Sequence, residues 1–156
     1  MANKVFIDGE VGTTGLQIRE RLQRRDDIRL ISLSEAQRKD RAARLEAFAQ
    51  ADVSILCLPD AAVHEVAPDL KAMGARVIDA STAHRVDPDW VFGFPEMAAG
   101  QRQAIAGAKR VSNPGCWSTC AIALIRPLVA AGLIDPAHPP AISGVSGYTG
   151  GGKSMI

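Results

Sequence analysis

A chain of 156 residues with 47% hydrophobic content can build one ordinary domain around a buried core. Its 18 lysines and arginines against 17 aspartates and glutamates leave a net charge of +1, so no field of one sign points to nucleic acid or a bilayer as the partner. The opening MANKVFIDGE has no signal-peptide pattern, no apolar run nears the roughly 18 residues that span a membrane, and three cysteines fit no disulfide framework, so a soluble, cytoplasmic protein is expected.

The first predicted strand is KVFID (4–8), and helical spacing through Leu16, Ile18 and Leu22 predicts a helix over 13–25. Between them lies Gly9-Glu10-Val11-Gly12-Thr13-Thr14-Gly15, a G-x-x-G-x-x-G turn from strand to helix. Glycines at 9, 12 and 15 let the backbone approach a pyrophosphate. The helix amino terminus adds free N–H groups, and Thr13 and Thr14 add hydroxyls. A dinucleotide site is the expectation, against a merely structural tight turn.

IRLISL (28–33) is the second strand and 38–50 the second helix. An acid that binds the ribose of NAD usually ends this strand. Here Ser34 stands near that place, with Arg38 and Lys39 beyond, and a serine with two cations suits the 2′-phosphate of NADP(H). Two other readings stay open: Glu35 as the displaced acid, and Ser34 as a helix cap with both cations in solvent.

DVSILCL (52–58) is the third strand, 61–73 a helix and ARVIDA (75–80) the fourth strand. Strands alternating with helices of this length give an α/β fold with a doubly wound, parallel, Rossmann-type sheet. Further on come a short strand within 87–97, another within 104–113, an apolar helix over about 116–131, a proline-rich linker at 135–140 and a new strand at 141–147. The expected division is a cofactor domain over 1–115 and the start of an α+β catalytic domain over 116–156 (helix, linker and first strand).

The most informative stretch is RVSNPGCWSTC. Asn113-Pro114-Gly115 turns sharply and sets Cys116 at the start of the apolar helix, where the helix dipole and free amides favour thiolate. A thiolate beside a nicotinamide site can attack an acyl group and carry it to hydride transfer. SNPGCWST (112–119), with the glycine turn, CLPD (57–60), DASTAHR (79–85), GFPE (93–96) and SGYTGGGK (146–153), resembles the N-acetyl-gamma-glutamyl-phosphate reductase family, its shorter bacterial type in particular, within the aspartate-semialdehyde dehydrogenase-like superfamily.

The resemblance implies that Cys116 displaces phosphate from the acyl phosphate and that NADPH reduces the resulting thioester to the semialdehyde, a step of arginine biosynthesis. It implies that Leu58, Pro59 and Ser81 line the cofactor cleft. Asn113, Arg85, Ser146, Gly147 and Lys153 are the candidates for holding the substrate, with Arg85 alternatively a surface residue paired with Asp87 or Asp89. No metal is implied, and the family's habit implies a homo-oligomer.

Family members also use a histidine later in the catalytic domain, which none of His64, His84 and His138 matches; all three are expected to be ordinary surface or loop residues. The family's catalytic domain is longer than the stretch after Pro140, so the sequence is expected to be part of a longer enzyme, with a cofactor-binding module without turnover, or a related acyl-phosphate reductase, as the alternatives. Gly147 to Ser154 also spells the phosphate loop of nucleotide hydrolases, but no following helix or magnesium-binding aspartate supports that reading.

Overall fold

A computed structural model of the chain describes residues 2–138 and 140–147. It divides into two compact units, Met1–Gly115 and Cys116–Ile156. The first unit is built on six strands: β1 (Asn3–Asp8), β2 (Ile28–Ile31), β3 (Val53–Leu56), β4 (Val77–Asp79), β5 (Val91–Phe92) and β6 (Arg110–Ser112). They pair in the order β2-β1-β3-β4-β6-β5, and every pairing is parallel. The doubly wound α/β expectation therefore holds.

Parallel strands need crossovers, and the helices supply them. The crossovers are α1 (Thr13–Leu22), α2 (Glu35–Lys39), α3 (Arg41–Gln50), α4 (Asp60–Ala72) and α5 (Gln101–Gly107). The chain winds outward from β1 to β2, then returns to the other side of β1 to lay down β3. The order therefore reverses between β1 and β3, the place where such sheets open a crevice at their carboxyl ends. Register is tight at that edge. Asp8 pairs with Leu56, Leu56 with Asp79, and Asp79 with Ser112, so four buried residues form one row across the sheet.

A core cluster sits where α3 and α4 cover this sheet. Phe6, Phe48, Leu56, Val63, Val66, Leu70 and Val77 are buried together, and the Phe6 and Phe48 rings meet edge to face at 5.0 Å. Each such side chain contributes about 1.5–3 kcal/mol on burial, and together they fix the strand ends that carry the loops.

Three elements differ from the sequence reading. The helix expected over 38–50 is two: Ser34 caps α2 in a reciprocal box with Gln37, and Asp40 breaks the run and caps α3 by accepting from the Ala42 N–H. The strand expected within 104–113 is present as Arg110–Ser112, but a helix the sequence reading lacks comes before it. Gly100, at φ 82°, reverses the chain into α5 first, a helix built from the same alanine-rich letters.

The second unit opens with α6 (Cys116–Ala130). The strand expected at 141–147 has no regular secondary structure. A strand persists through the ladder it shares with a neighbour, and among the described residues none pairs with this segment. It is held instead by a side chain, the Trp117 indole N–H donating to Ser146 Oγ at 2.9 Å.

Candidate active site

The glycine turn closes on itself at the carboxyl end of β1. The Gly12 N–H donates to the Gly9 carbonyl, and Gly12 begins α1 with no side-chain cap, leaving the first-turn N–H groups without intrahelical acceptors. Gly9 has φ +87°, and a Cβ there would lie 2.3 Å from the Cys57 carbonyl oxygen. A Cβ on Gly15 would lie 2.2 Å from the Gly9 carbonyl oxygen. These glycines are required because the β1 and β3 loops and the start of α1 touch backbone to backbone.

Beside the turn is a cavity of about 510 Å³, with Gly9, Glu10, Leu33, Arg38, Lys39 and Leu58 in its wall. Gly9, the neighbours Arg38 and Lys39, and Leu58 thus come together from three separate places in the sequence. Ser34 is not in the wall; its hydroxyl caps α2. Thr13 and Thr14 are exposed on the first turn of α1, and Pro59 begins α4.

Two of the three cations in this cavity wall, Arg38 and Arg44, are paired with carboxylates of the same wall. Arg44 grips Asp8 through two bonds to one carboxylate oxygen, Nη2 at 2.7 Å and Nε at 3.2 Å. Glu10, 5% exposed, sits between Arg38 Nη1 at 3.3 Å and Arg19 Nη1 at 3.5 Å. Sequence reading assigned none of Asp8, Glu10, Arg19 and Arg44 a place here. The letters D-G-E at the turn are the available signal for the two carboxylates.

The β4 loop is organised by Asp79, fully buried. It accepts from the Ser81 N–H at 2.9 Å and the Ser81 hydroxyl at 2.8 Å, and contacts His84 Nδ1 at 2.8 Å. His84 is therefore not a surface histidine: it is 6% exposed, stacked on Trp90 at 4.0 Å with His64 edge-on at 5.4 Å. Ser81 spends its hydroxyl on this loop. Thr82 donates through its N–H and its hydroxyl to Asp60, and those bonds hold the Asp60 carboxyl below the usual range, with His64 and Arg85 adding to the effect.

Arg85 has no ion pair with Asp87 or Asp89 among the described contacts. Its Nη2 donates weakly to the Ala80 carbonyl at 3.4 Å, and its Nε is buried without a partner. The guanidinium lies against Gly115, where a Cβ would approach Nη1 to 2.5 Å. A buried N–H of a cation left unmatched is a position an anion would satisfy. Asn113 is tied into the same turn, its N–H donating to the Asp79 carbonyl at 2.7 Å and Nδ2 to the Pro114 carbonyl at 3.2 Å.

In the second unit Cys116 is exposed in the first turn of α6. With Trp117, Cys120, Leu124, Ile142 and Ser146 it lines a groove of about 470 Å³. Cys120 is exposed in the same groove. Gly147 ends the described stretch, and Lys153 lies outside the described residues, as does most of the phosphate-loop-like segment. Cys57 is the opposite case: burial, with Asp8 and Asp79 nearby, pushes its thiol up to about 11.

Residues 32–108 match the family model described as semialdehyde dehydrogenase, NAD binding domain, and residues 116–156 match its companion, the semialdehyde dehydrogenase dimerisation domain. The chain is 55% identical over 152 residues to a Burkholderia ambifaria protein named N-acetyl-gamma-glutamyl-phosphate reductase, covering 97% of this chain and 48% of that one. It is 55% identical over 157 residues to a protein of the same name from Brucella anthropi, covering 100% and 50%. The chain thus spans about half the length of the curated relatives it matches.

Among solved structures, aspartate semialdehyde dehydrogenase II of Vibrio cholerae superposes with a TM-score of 0.63 at 20% identity, over 84% of this chain and 47% of that one. Aspartate semialdehyde dehydrogenase of Candida albicans with NADP gives 0.59 at 16% identity, over 86% and 48%. At such identities the likeness is one of fold.

Proposed function

The chain belongs to the semialdehyde dehydrogenase family, and from that premise we propose that it forms the cofactor-binding and nucleophile-bearing part of an NADPH-dependent reductase of N-acetyl-gamma-glutamyl phosphate. The observation that carries this reading is Cys116, exposed in the first turn of α6 directly after the Asn113-Pro114-Gly115 turn that leaves β6. Relatives at 55% identity bear the name of that activity, which supports the reading; the reaction proposed is a step of arginine biosynthesis.

In this reading residues 1–115 hold the dinucleotide. The Gly9–Gly15 turn and the uncapped start of α1 take the pyrophosphate, and the cavity with Arg38 and Lys39 takes the 2′-phosphate side. The fit is supported by glycines packed too closely for any Cβ and by cations in the cavity wall. Leu58 lies against Gly9 from the end of β3, Pro59 caps the start of α4 beside it in the chain, and Ser81 shapes the β4 loop through Asp79.

Cys116 supplies the nucleophile. Its thiolate sulfur attacks the acyl carbon, the bond from that carbon to the phosphate oxygen breaks, and inorganic phosphate leaves. Bound NADPH supplies the hydride that takes the acyl group to the aldehyde level. The carbon–sulfur bond then breaks and the thiolate is regenerated. Arg85, with its unmatched Nε, and Asn113 bind the substrate's anionic groups; Ser146, Gly147 and Lys153 belong to the substrate side of residues 116–156. The match of 116–156 to a dimerisation domain supports a homo-oligomer.

The test is acyl-phosphate-dependent NADPH oxidation by the protein that carries this chain. Cys116→Ser lowers the rate on the order of a thousandfold or more while NADPH affinity stays within about twofold. Retained turnover in that variant sinks the reading. Faster turnover of aspartyl phosphate than of the N-acetylated glutamyl phosphate replaces the substrate assignment and leaves the nucleophile in place.

A further inference from the structure

The cavity beside the glycine turn is lined by three carboxylates, Asp8, Glu10 and Glu35, and three cations, Arg38, Lys39 and Arg44. A phosphate dianion is therefore not drawn to it by any surplus of positive charge. Lys39 has no ion pair among the described contacts, whereas Arg38 and Arg44 each reach a phosphate only when a resident carboxylate gives them up.

The two internal pairs differ in how firmly they are made. Arg44 holds Asp8 at 2.7 and 3.2 Å through two nitrogens, the short geometry of a strong charge-assisted bond. Arg38 reaches Glu10 at 3.3 Å through one nitrogen, and Arg19 reaches the other oxygen at 3.5 Å. Both are longer than the 2.7–2.9 Å of a well-formed ion pair. Arg38 is about one-third exposed, whereas the Glu10 side chain is 7% exposed. Arg38 is thus parked on a buried carboxylate but not locked to it, and Arg19 remains to neutralise Glu10 when Arg38 departs.

We propose that Glu10 is a specificity-determining residue that acts as a resident stand-in for the 2′-phosphate: it holds Arg38 in the cavity while the cofactor is away and surrenders it to the phosphate of NADPH. The inference rests on the NADPH reading above and adds the residue that tunes it. Exchange sets an upper limit on the preference for NADPH, because part of the phosphate–arginine attraction is cancelled by the ion pair that is given up. NADH has no 2′-phosphate, so its binding leaves the Glu10–Arg38 pair in place.

The experiment is equilibrium titration of the whole protein with NADPH and with NADH, read by dinucleotide fluorescence. Glu10→Gln removes the competing charge and keeps the shape. It tightens NADPH about fivefold, the scale of one loose ion pair, and leaves NADH within about twofold. The gain shrinks with added salt and is absent in an Arg38→Ala background. Arg38→Ala alone weakens NADPH about tenfold and spares NADH. Should Glu10→Gln disturb folding, Glu10→Asp, which draws the carboxylate back from Arg38, gives a smaller gain in the same direction.

Equal loss of both dinucleotides in Glu10→Gln, or no change in either, overturns the exchange. An Arg38→Ala variant that treats NADPH and NADH alike overturns the 2′-phosphate site itself. A discriminating Arg38→Ala beside an inert Glu10→Gln overturns the exchange alone.

Discussion

Three cysteines in this chain have three different environments, and their chemistry follows. Cys116 and Cys120 are exposed on α6, whereas Cys57 is tucked beneath the glycine turn beside Asp8 and Asp79. Burial and two carboxylates oppose a thiolate at Cys57, raising its value from 9.0 to about 11. The unfolded chain releases this proton near the lower value and the folded chain near the upper. Between them the folded state binds more protons, so stability is whole below about pH 9 and falls as pH rises toward 11. Discounted for the partial solvent access of the site, the loss is on the order of 1 kcal/mol. Urea unfolding at pH 8 and at pH 10.5 measures it, and Cys57→Ala removes this part of the pH dependence. In the same protein, iodoacetamide at pH 8 labels Cys116 and leaves Cys57 untouched until unfolding.

At the scale of elements, the strand–turn–helix unit β1–α1 depends on glycine for reasons of space, and a pair of substitutions separates space from propensity. Alanine is the better helix former by about 1 kcal/mol, so Gly107→Ala, with nothing within 4 Å of the new Cβ, stabilises the protein slightly. Gly15→Ala has the same propensity gain, but its Cβ would lie 2.2 Å from the Gly9 carbonyl oxygen and 2.8 Å from the Glu10 Cα. The turn must move off the helix start. Gly15→Ala therefore lowers the unfolding midpoint and weakens NADPH at least about tenfold, whereas Gly107→Ala does neither. Thermal unfolding and titration of both variants decide it.

The same scale explains what sequence could and could not say. Alternating apolar runs and helical spacing locate β1 to β4 and the helices α1, α3 and α4, because each is patterned locally. Helix α5 was hidden, since Ala104, Ile105 and Ala106 suit a buried strand as well as a helix and only the left-handed Gly100 decides. The segment 141–147 has the letters of a strand without a ladder among the described residues. The nucleophile was legible because SNPGC is contiguous. The Glu10–Arg38–Arg19 and Asp79–His84–Trp90 groups were not, because pairing across 28 residues, or burial of a histidine, is a product of folding.

For the molecule as a whole, the cavity draws its wall from segments far apart in the chain: the turn after β1, helix α2, and Leu58 after β3. A ligand that contacts all three binds only when the sheet order β2-β1-β3 is assembled, so binding is linked to folding. NADPH at a hundred times its dissociation constant adds about 2.7 kcal/mol to the unfolding free energy. For a chain of this size that is a rise of roughly 5–10 °C in the unfolding midpoint. ATP at the same concentration adds little, because a triphosphate lacks the second nucleotide that spans the turn, and the nucleotide-hydrolase reading rests on one short motif. The contrast between the two ligands in a single melting series is the test. An ATP shift equal to that of NADPH shows that phosphate alone drives the effect, whereas a shift confined to NADPH and lost in Arg38→Ala ties it to the assembled cavity.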